Sequence, residues 1–341
     1  MAKKNNPNTQ SKVRSTKESQ AVSHTSINEN HAPWWPALIA LLITAICFST
    51  SLDNQFVNWD DDRNFYENKL VQHVDKNNFW TTTKEIFTSG VIGNYNPLTI
   101  WTFALEKMQF GFDKPFNWHF DNLLLHLICV FLTYRIALLL GIGWRGALFV
   151  ALLFGIHPMR VESVAWVTER KDVLFGAFYL GALLQYIKFK NDNKSIRWLW
   201  MTILFTLSLF SKIQAVSLPL SMIAVDYFMD RKWEFKSIIN KIPFFLLSLI
   251  FGILGIYMLR DFGSLASAVD ETHFNFIQRL FIGAFSFVIY LVKLIVPFRM
   301  SPLYPYPNYF PWYFYPSILI APVVIYVLFQ SYKKEHKIVF F

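Results

Sequence analysis

The sequence predicts an all-α membrane protein, a polytopic helical bundle whose first extracytoplasmic loop is long and made of short interfacial helices. Three observations predict it. Apolar residues make up 54% of the 341-residue chain and charged residues only 16%, against roughly 45–50% and about 25% in ordinary soluble domains. Apolar runs recur along the chain, and basic residues gather between them. Aromatic side chains are abundant, with 35 Phe, 15 Tyr and 12 Trp, which suits rings at a membrane interface better than one water-soluble core. The net charge of +9 comes without a basic helix or an aromatic RNA-binding signature, so it orients spans and does not point to nucleic acid. Cys47 and Cys129, the only cysteines, both lie in apolar runs and leave no disulfide framework.

Residues 1–33 carry too few large apolar side chains to offset ordering entropy and read as a disordered basic tail. Lys3, Lys4, Lys12, Arg14 and Lys17 outnumber Glu18 and Glu29, which keeps this tail cytoplasmic. Residues 34–341 then form one membrane domain of about nine apolar segments. The first, 36–52, spans once; a cleavable signal peptide is excluded by the long polar lead and the lack of a small-residue cleavage site. The loop 53–119 falls outside, and Trp59, Phe65, Phe79, Trp80 and Trp101 suit short helices lying along the membrane surface. Further runs follow at about 120–140, 146–160, 173–189, 196–211, 213–228, 242–259, 277–297 and 316–332. Several are shorter than the roughly 20 residues that span alone and must tilt or pack together. With the tail inside, the basic connections 188–197 and 229–241 also fall inside, and the acidic 260–276 loop falls outside. Lys333, Lys334 and Lys337 then land outside, against the rule, which marks one late segment as re-entrant or miscounted. A new apolar run opens at Ile338, so the chain reads as cut short at its C-terminal end.

Four constellations could carry chemistry. Asn58-Trp59-Asp60-Asp61-Asp62-Arg63 lies just beyond the first span. A carboxylate held there, partly desolvated, can act as general base toward a hydroxyl acceptor. The alternatives are a solvated acidic turn and a site for a hard cation, Mg²⁺ or Mn²⁺, on Asp60, Asp61 and Asp62. His119, Asn122 and His126 share one helix face at the start of the second span, either lining a polar cavity or bonding between helices to fix packing. The run His157 to Asp172 includes Arg160, Glu162, Trp166, Arg170 and Lys171, and Glu162, Trp166 and Arg170 fall on one stripe of a helix. Arg160, Arg170 and Lys171 land on the outer side, where basic residues are disfavoured, and an anionic ligand such as a lipid phosphate would explain them. Pairing with Glu162, Glu169 and Asp172 is the alternative. Lys212 is a further outer base with no acid beside it in sequence, and it also suits a phosphate. Last, the Pro- and Tyr-rich run 301–312 reads as a stiff extended segment, an interfacial belt with faces for sugar rings or headgroups. No Walker, Rossmann, HExxH, CxxC or GxSxG pattern supports nucleotide, zinc or serine chemistry.

Taken in order, Asn58-Trp59-Asp60-Asp61, Tyr95-Asn96-Pro97-Leu98-Thr99, His119 to His126, His157 to Asp172, Ser211-Lys212 with Ala215 to Pro219 and Asp226, and Leu303-Tyr304-Pro305-Tyr306 resemble one family. The sequence resembles bacterial relatives of the transmembrane and tetratricopeptide-repeat O-mannosyltransferases, within the GT-C superfamily of membrane glycosyltransferases. The resemblance covers about residues 36–332 and lacks the repeats. It implies a GT-C-like fold in a bacterial inner membrane, with the active site facing outward. It also implies an inverting transfer of a mannose-like sugar from a polyprenyl-phosphate donor to a protein or glycan hydroxyl. Asp60 and Asp61 match the family's catalytic acidic pair. Arg160, Arg170, Lys171 and Lys212 would then face the donor phosphate, with His119, Asn122, His126, His157, Glu162 and Asp172 as supporting polar groups. A lipid-linked sugar transporter and an inactive membrane scaffold are the competing expectations.

Overall fold

A computed structural model describes residues 33–229, 238–261, 274–301, 303–304 and 309–334. All but the last residue of the basic tail lies outside the described residues, as do Arg231, Lys232 and Lys236, most of the 260–276 loop, Pro302, residues 305–308 and Lys337. The described residues are helical and carry no strand, only a lone bridge between Val91 and Asn94. Five helical stretches are long and apolar enough to cross a membrane: Trp35–Asp53, Pro115–Leu139, Val167–Asp192, Ile242–Arg260 and Phe276–Ile295.

Helix α1 (Trp35–Phe48) opens with Pro36, whose missing N–H costs nothing in a first turn, and a 3-10 turn, Ser49–Asp53, extends it. The segment that follows folds into α2 (Lys69–Gln72), α3 (Phe79–Thr88) and α4 (Pro97–Phe110). These pack round their own aromatic core. Trp118 stacks on Phe65 at 4.8 Å and on Phe103 at 5.8 Å, and all three are fully buried. Thr99 Oγ1 donates to the Ser211 carbonyl at 3.1 Å and ties α4 to the bundle. Truncating Phe65 to Ala opens the centre of this core and is expected to cost about 3–5 kcal/mol. A thermal melt in detergent checks this, and an unchanged Tm would contradict it.

Helix α5 (Pro115–Leu139) has 25 residues, about 37 Å at 1.5 Å per residue, enough to cross a hydrocarbon core of roughly 30 Å. The next apolar run is not one helix. Helix α6 (Trp144–Ile156) stops at His157, and the segment Pro158–Ala165, which contains α7 (Val161–Ala165), leaves at 52° to it. Proline explains the break: Pro158 disfavours helical backbone at His157, which is extended at φ −64°, ψ 133°. A second interruption follows at once, because Trp166 is extended at φ −98°, ψ 121°. Helix α8 (Arg170–Asp192) ends at Asn193 in the left-handed conformation, and α9 (Ser195–Ser211) packs back against it. There follow α10 (Leu218–Phe228), α11 (Ile242–Asp261), α12 (Phe276–Ile295) with a capping box of Asn275 and Gln278, and α13 (Ser317–Lys334) with Pro322 inside it.

Two seams hold the bundle. Tyr186, Ile187, Met201, Phe205 and Leu209 fill the space between α8 and α9. Small residues close the other, where Ala37, Ala40, Ala147 and Ala151 bring α1, α5 and α6 together. Gly155 belongs to that contact, since a Cβ there would stand 2.4 Å from Thr44 Oγ1. By contrast Lys293 is the one residue of α12 buried by the described residues, and the helix's apolar surface suits lipid.

Candidate active site

The broken span leaves backbone groups that a membrane cannot hydrate, so other parts of the chain must satisfy them. The polar face of α5 does this. His126 Nε2 is 2.8 Å from the Gly155 carbonyl at the end of α6. One turn earlier, Asn122 Nδ2 donates to the Trp166 carbonyl at 3.0 Å and to that of Val167 at 3.4 Å. His119, 2% exposed, completes the face, with the backbone of Ala165 and of Gln55 beside its ring. His157 holds the break itself. Its Nδ1 accepts from the Met159 N–H at 3.2 Å, which leaves Nε2–H to donate to the Leu294 carbonyl of α12 at 3.0 Å.

The three neighbouring aspartates have different surroundings. Asp61 is 2% exposed, and its two oxygens accept from Val57 N–H at 2.9 Å and Thr168 N–H at 3.1 Å. It therefore pins the loop after α1 to the segment between α7 and α8. His119 lies close enough for the two to interact electrostatically. Asp60 is half-buried, and its backbone carbonyl accepts from Asn64. Asp62 accepts from the adjacent Arg63 N–H and starts a π-helical turn, Asp62–Tyr66. Among the described residues no group of three His, Cys, Asp or Glu could hold a metal ion.

The basic residues also separate. Arg170 is 1% exposed. Its guanidinium pairs with Glu106, donates to Asn122 Oδ1 at 2.9 Å and to the Trp118 carbonyl at 3.0 Å, and lies over the Phe103 ring. Burial pushes the Glu106 carboxyl up to about 7, with the Arg170 guanidinium pulling the other way. The stripe expected for Glu162, Trp166 and Arg170 does not form. The extended backbone at Trp166 ends the helix, so Arg170 turns into the protein while Glu162 and Trp166 line a cavity. Lys171 pairs with Glu169 at 2.7 Å. Lys212, which has no acid beside it in sequence, pairs through the fold with Asp172 and with Glu169 at 3.5 Å, and Ser163 also donates to Asp172. Arg160 lies over the Phe154 ring and makes no ion pair among the described residues.

The cavity, about 740 Å³, opens between three parts of the chain. Residues 54–57 and Trp59 form one wall, the broken span from Pro158 to Trp166 a second, and Tyr290, Met300, Ser301 and Tyr304 a third. Trp59 and Trp166 pack against each other in its lining, ring centroids 5.8 Å apart. The Tyr304 hydroxyl, expected from sequence only as part of an aromatic belt, is fixed by the buried Lys293 Nζ at 2.6 Å and by Ser301 N–H at 2.9 Å. Sequence reasoning missed Glu106, which sits beside Lys107 and looks like one half of a local charge pair, and Lys293, a lone charge in an apolar run. The other buried charged cluster, Asp226 with Lys241 and Tyr186, sits toward the far end of α8.

Comparison with known proteins places this region in context. The chain is 30% identical over 236 residues to protein O-mannosyl-transferase TMTC4 of Homo sapiens, a match covering 62% of this chain and 31% of that protein. It is 30% identical over 161 residues to TMTC3 of Mus musculus, covering 46% and 17%, and 31% identical over 195 residues to tmtc2 of Xenopus laevis, covering 53% and 23%. The matches therefore span about a third or less of these curated relatives' own length. No family model matches the chain, and no solved structure matches it.

Proposed function

We propose that this chain is the membrane-embedded glycosyl-transfer unit of an inverting transferase. It takes a mannose-like hexose from a polyprenyl-phosphate donor to a hydroxyl of a protein or glycan on the extracytoplasmic face of a bacterial inner membrane. One observation carries the reading: a buried carboxylate, Asp61, is held by backbone N–H groups from two distant segments beside an aromatic cavity at the mouth of a broken span. The similarity to O-mannosyl-transferases supports the reaction class. In the proposed reaction the acceptor oxygen bonds to the anomeric carbon as the bond to the phosphate oxygen breaks. Asp61 takes the hydroxyl proton, with Asp60 beside it. The leaving polyprenyl phosphate carries the charge away, and Arg160, Lys171 and Lys212 are the basic residues proposed to meet it, the two lysines out of their ion pairs with Glu169 and Asp172. Arg170 holds the site together from within. Asp61 keeps lone pairs for this work, since an ionised carboxylate offers about four acceptor positions and two are used.

The broken span favours a second reading, a transporter of lipid-linked sugars, because interrupted helices line many translocation paths. Sealed proteoliposomes loaded with labelled polyprenyl-phosphate hexose in one leaflet separate the two. Transferase action moves label to a hydroxyl acceptor and releases polyprenyl phosphate. Label that crosses to the other leaflet still attached to its lipid would establish transport.

A further inference from the structure

Among the described residues, Glu162 is the one charged side chain on the wall of the cavity. The acids that neighbour it are already engaged, Glu169 with Lys171 and Lys212, and Asp172 with Lys212 and Ser163. Its own carboxylate makes no ion pair and accepts no hydrogen bond among the described residues, and it is exposed to the cavity. A carboxylate facing an aromatic-lined cavity offers two unfilled acceptor oxygens to whatever enters it.

The shape of the cavity limits what that partner is. Its volume of about 740 Å³ falls within the roughly 300–1,000 Å³ usual for small-ligand pockets. Trp59 and Trp166, packed against each other, line it together with Tyr290 and Tyr304. A phosphate is repelled by Glu162. A pyranose fits: its C–H face packs on an indole, and two neighbouring hydroxyls donate to the two carboxylate oxygens.

We propose that Glu162 and the Trp59–Trp166 pair form the subsite that holds the sugar ring of the donor, with Glu162 as the residue that selects among sugars by their hydroxyls. This rests on the transferase reading above. Glu162 is not the base, because its basic neighbours are Lys171 and Lys212, the groups placed for the departing phosphate. In an inverting displacement the base works on the opposite side of the anomeric carbon. That side is the wall formed by residues 54–59, which Asp61 anchors through Val57.

The test uses the whole chain in proteoliposomes. Donor binding is read by tryptophan fluorescence, and transfer kinetics are read separately, for wild type, Glu162→Gln, Glu162→Asp and Trp166→Leu. The probes are polyprenyl-phosphate mannose, polyprenyl-phosphate glucose and deoxy analogues of each, with unglycosylated polyprenyl phosphate as the reference. Hydrogen bonds to a charged group are strong enough that Glu162→Gln is expected to weaken binding of the preferred hexose donor roughly ten- to a hundredfold. The loss appears in KM more than in kcat, and discrimination between the intact sugar and one deoxy analogue shrinks. Polyprenyl phosphate binding stays unchanged, and Glu162→Asp recovers part of the selectivity. If wild type binds and transfers a hexose but Glu162→Gln keeps the same affinity and the same sugar preference, the subsite is wrong and the transferase reading stands. If wild type binds no sugar donor, both fall together.

Discussion

Asp61→Asn is expected to lower transfer roughly 10²- to 10⁴-fold, the range for losing a general base, while donor binding persists. Asn keeps the shape of the carboxylate and can still accept one of the two backbone hydrogen bonds now made to Val57 and Thr168. It cannot accept a proton from the acceptor hydroxyl. Leaving one buried N–H without its partner adds a stability cost of about 1–3 kcal/mol, so folding and chemistry must be read apart. A melt measures the first, and kcat at saturating donor measures the second. A purely structural Asp61 would show the stability loss with kcat nearly intact in the folded fraction. Asp60→Asn, at a half-buried position, is expected to be the milder change.

The second large effect concerns Arg170. Replacing it with Ala leaves Glu106 buried without its cation, and removing one partner of a buried pair typically costs about 3–5 kcal/mol. The damage spreads further here, because Arg170 also holds Asn122 and the Trp118 carbonyl. Asn122 in turn caps the Trp166 and Val167 carbonyls beside Asp61's partner Thr168. Arg170→Ala is therefore expected to lower both Tm and activity. The raised Glu106 pKa means that burial outweighs the attraction of Arg170. The double change Glu106→Leu with Arg170→Met is accordingly expected to recover much of the stability lost by Arg170→Ala. The same shift sets a pH dependence. Because Glu106 holds its proton more tightly when folded, its contribution is complete below the ordinary carboxylate range and is lost as pH rises through about 7. Thermal melts from pH 5 to 8, comparing wild type with the double variant, check this through the difference in slope.

Local patterns in the sequence are enough to find the long apolar helices and the polar face of α5. The spacing of His119, Asn122 and His126 puts them on one side of a helix, and all three are buried toward the broken span. What local pattern does not supply is the cause of that polarity, which is a set of carbonyls freed by Pro158 and by the extended Trp166. The basic residues are read less well for the same reason. Arg160, Arg170, Lys171 and Lys212 look alike in sequence, and their surroundings are set by acids as far away as Glu106, 64 residues from Arg170. Only long-range packing separates the buried, ion-paired Arg170 from Arg160, which lies over the Phe154 ring. Likewise, three adjacent aspartates suggest one cluster, while the π-helical turn after Asp61 and its clamp to Thr168 give each a separate role.

An inverting hexosyl transfer from a polyprenyl phosphate leaves its signature at the anomeric carbon of the product. The most direct measurement incubates the reconstituted protein with a polyprenyl-phosphate hexose of defined anomeric configuration and a membrane lysate as acceptor, then assigns the anomeric configuration of the labelled product by NMR. The prediction is label on a hydroxyl acceptor with the opposite configuration to the donor, abolished in Asp61→Asn. A product with retained configuration, or no covalent product from a folded and donor-bound protein, would contradict it.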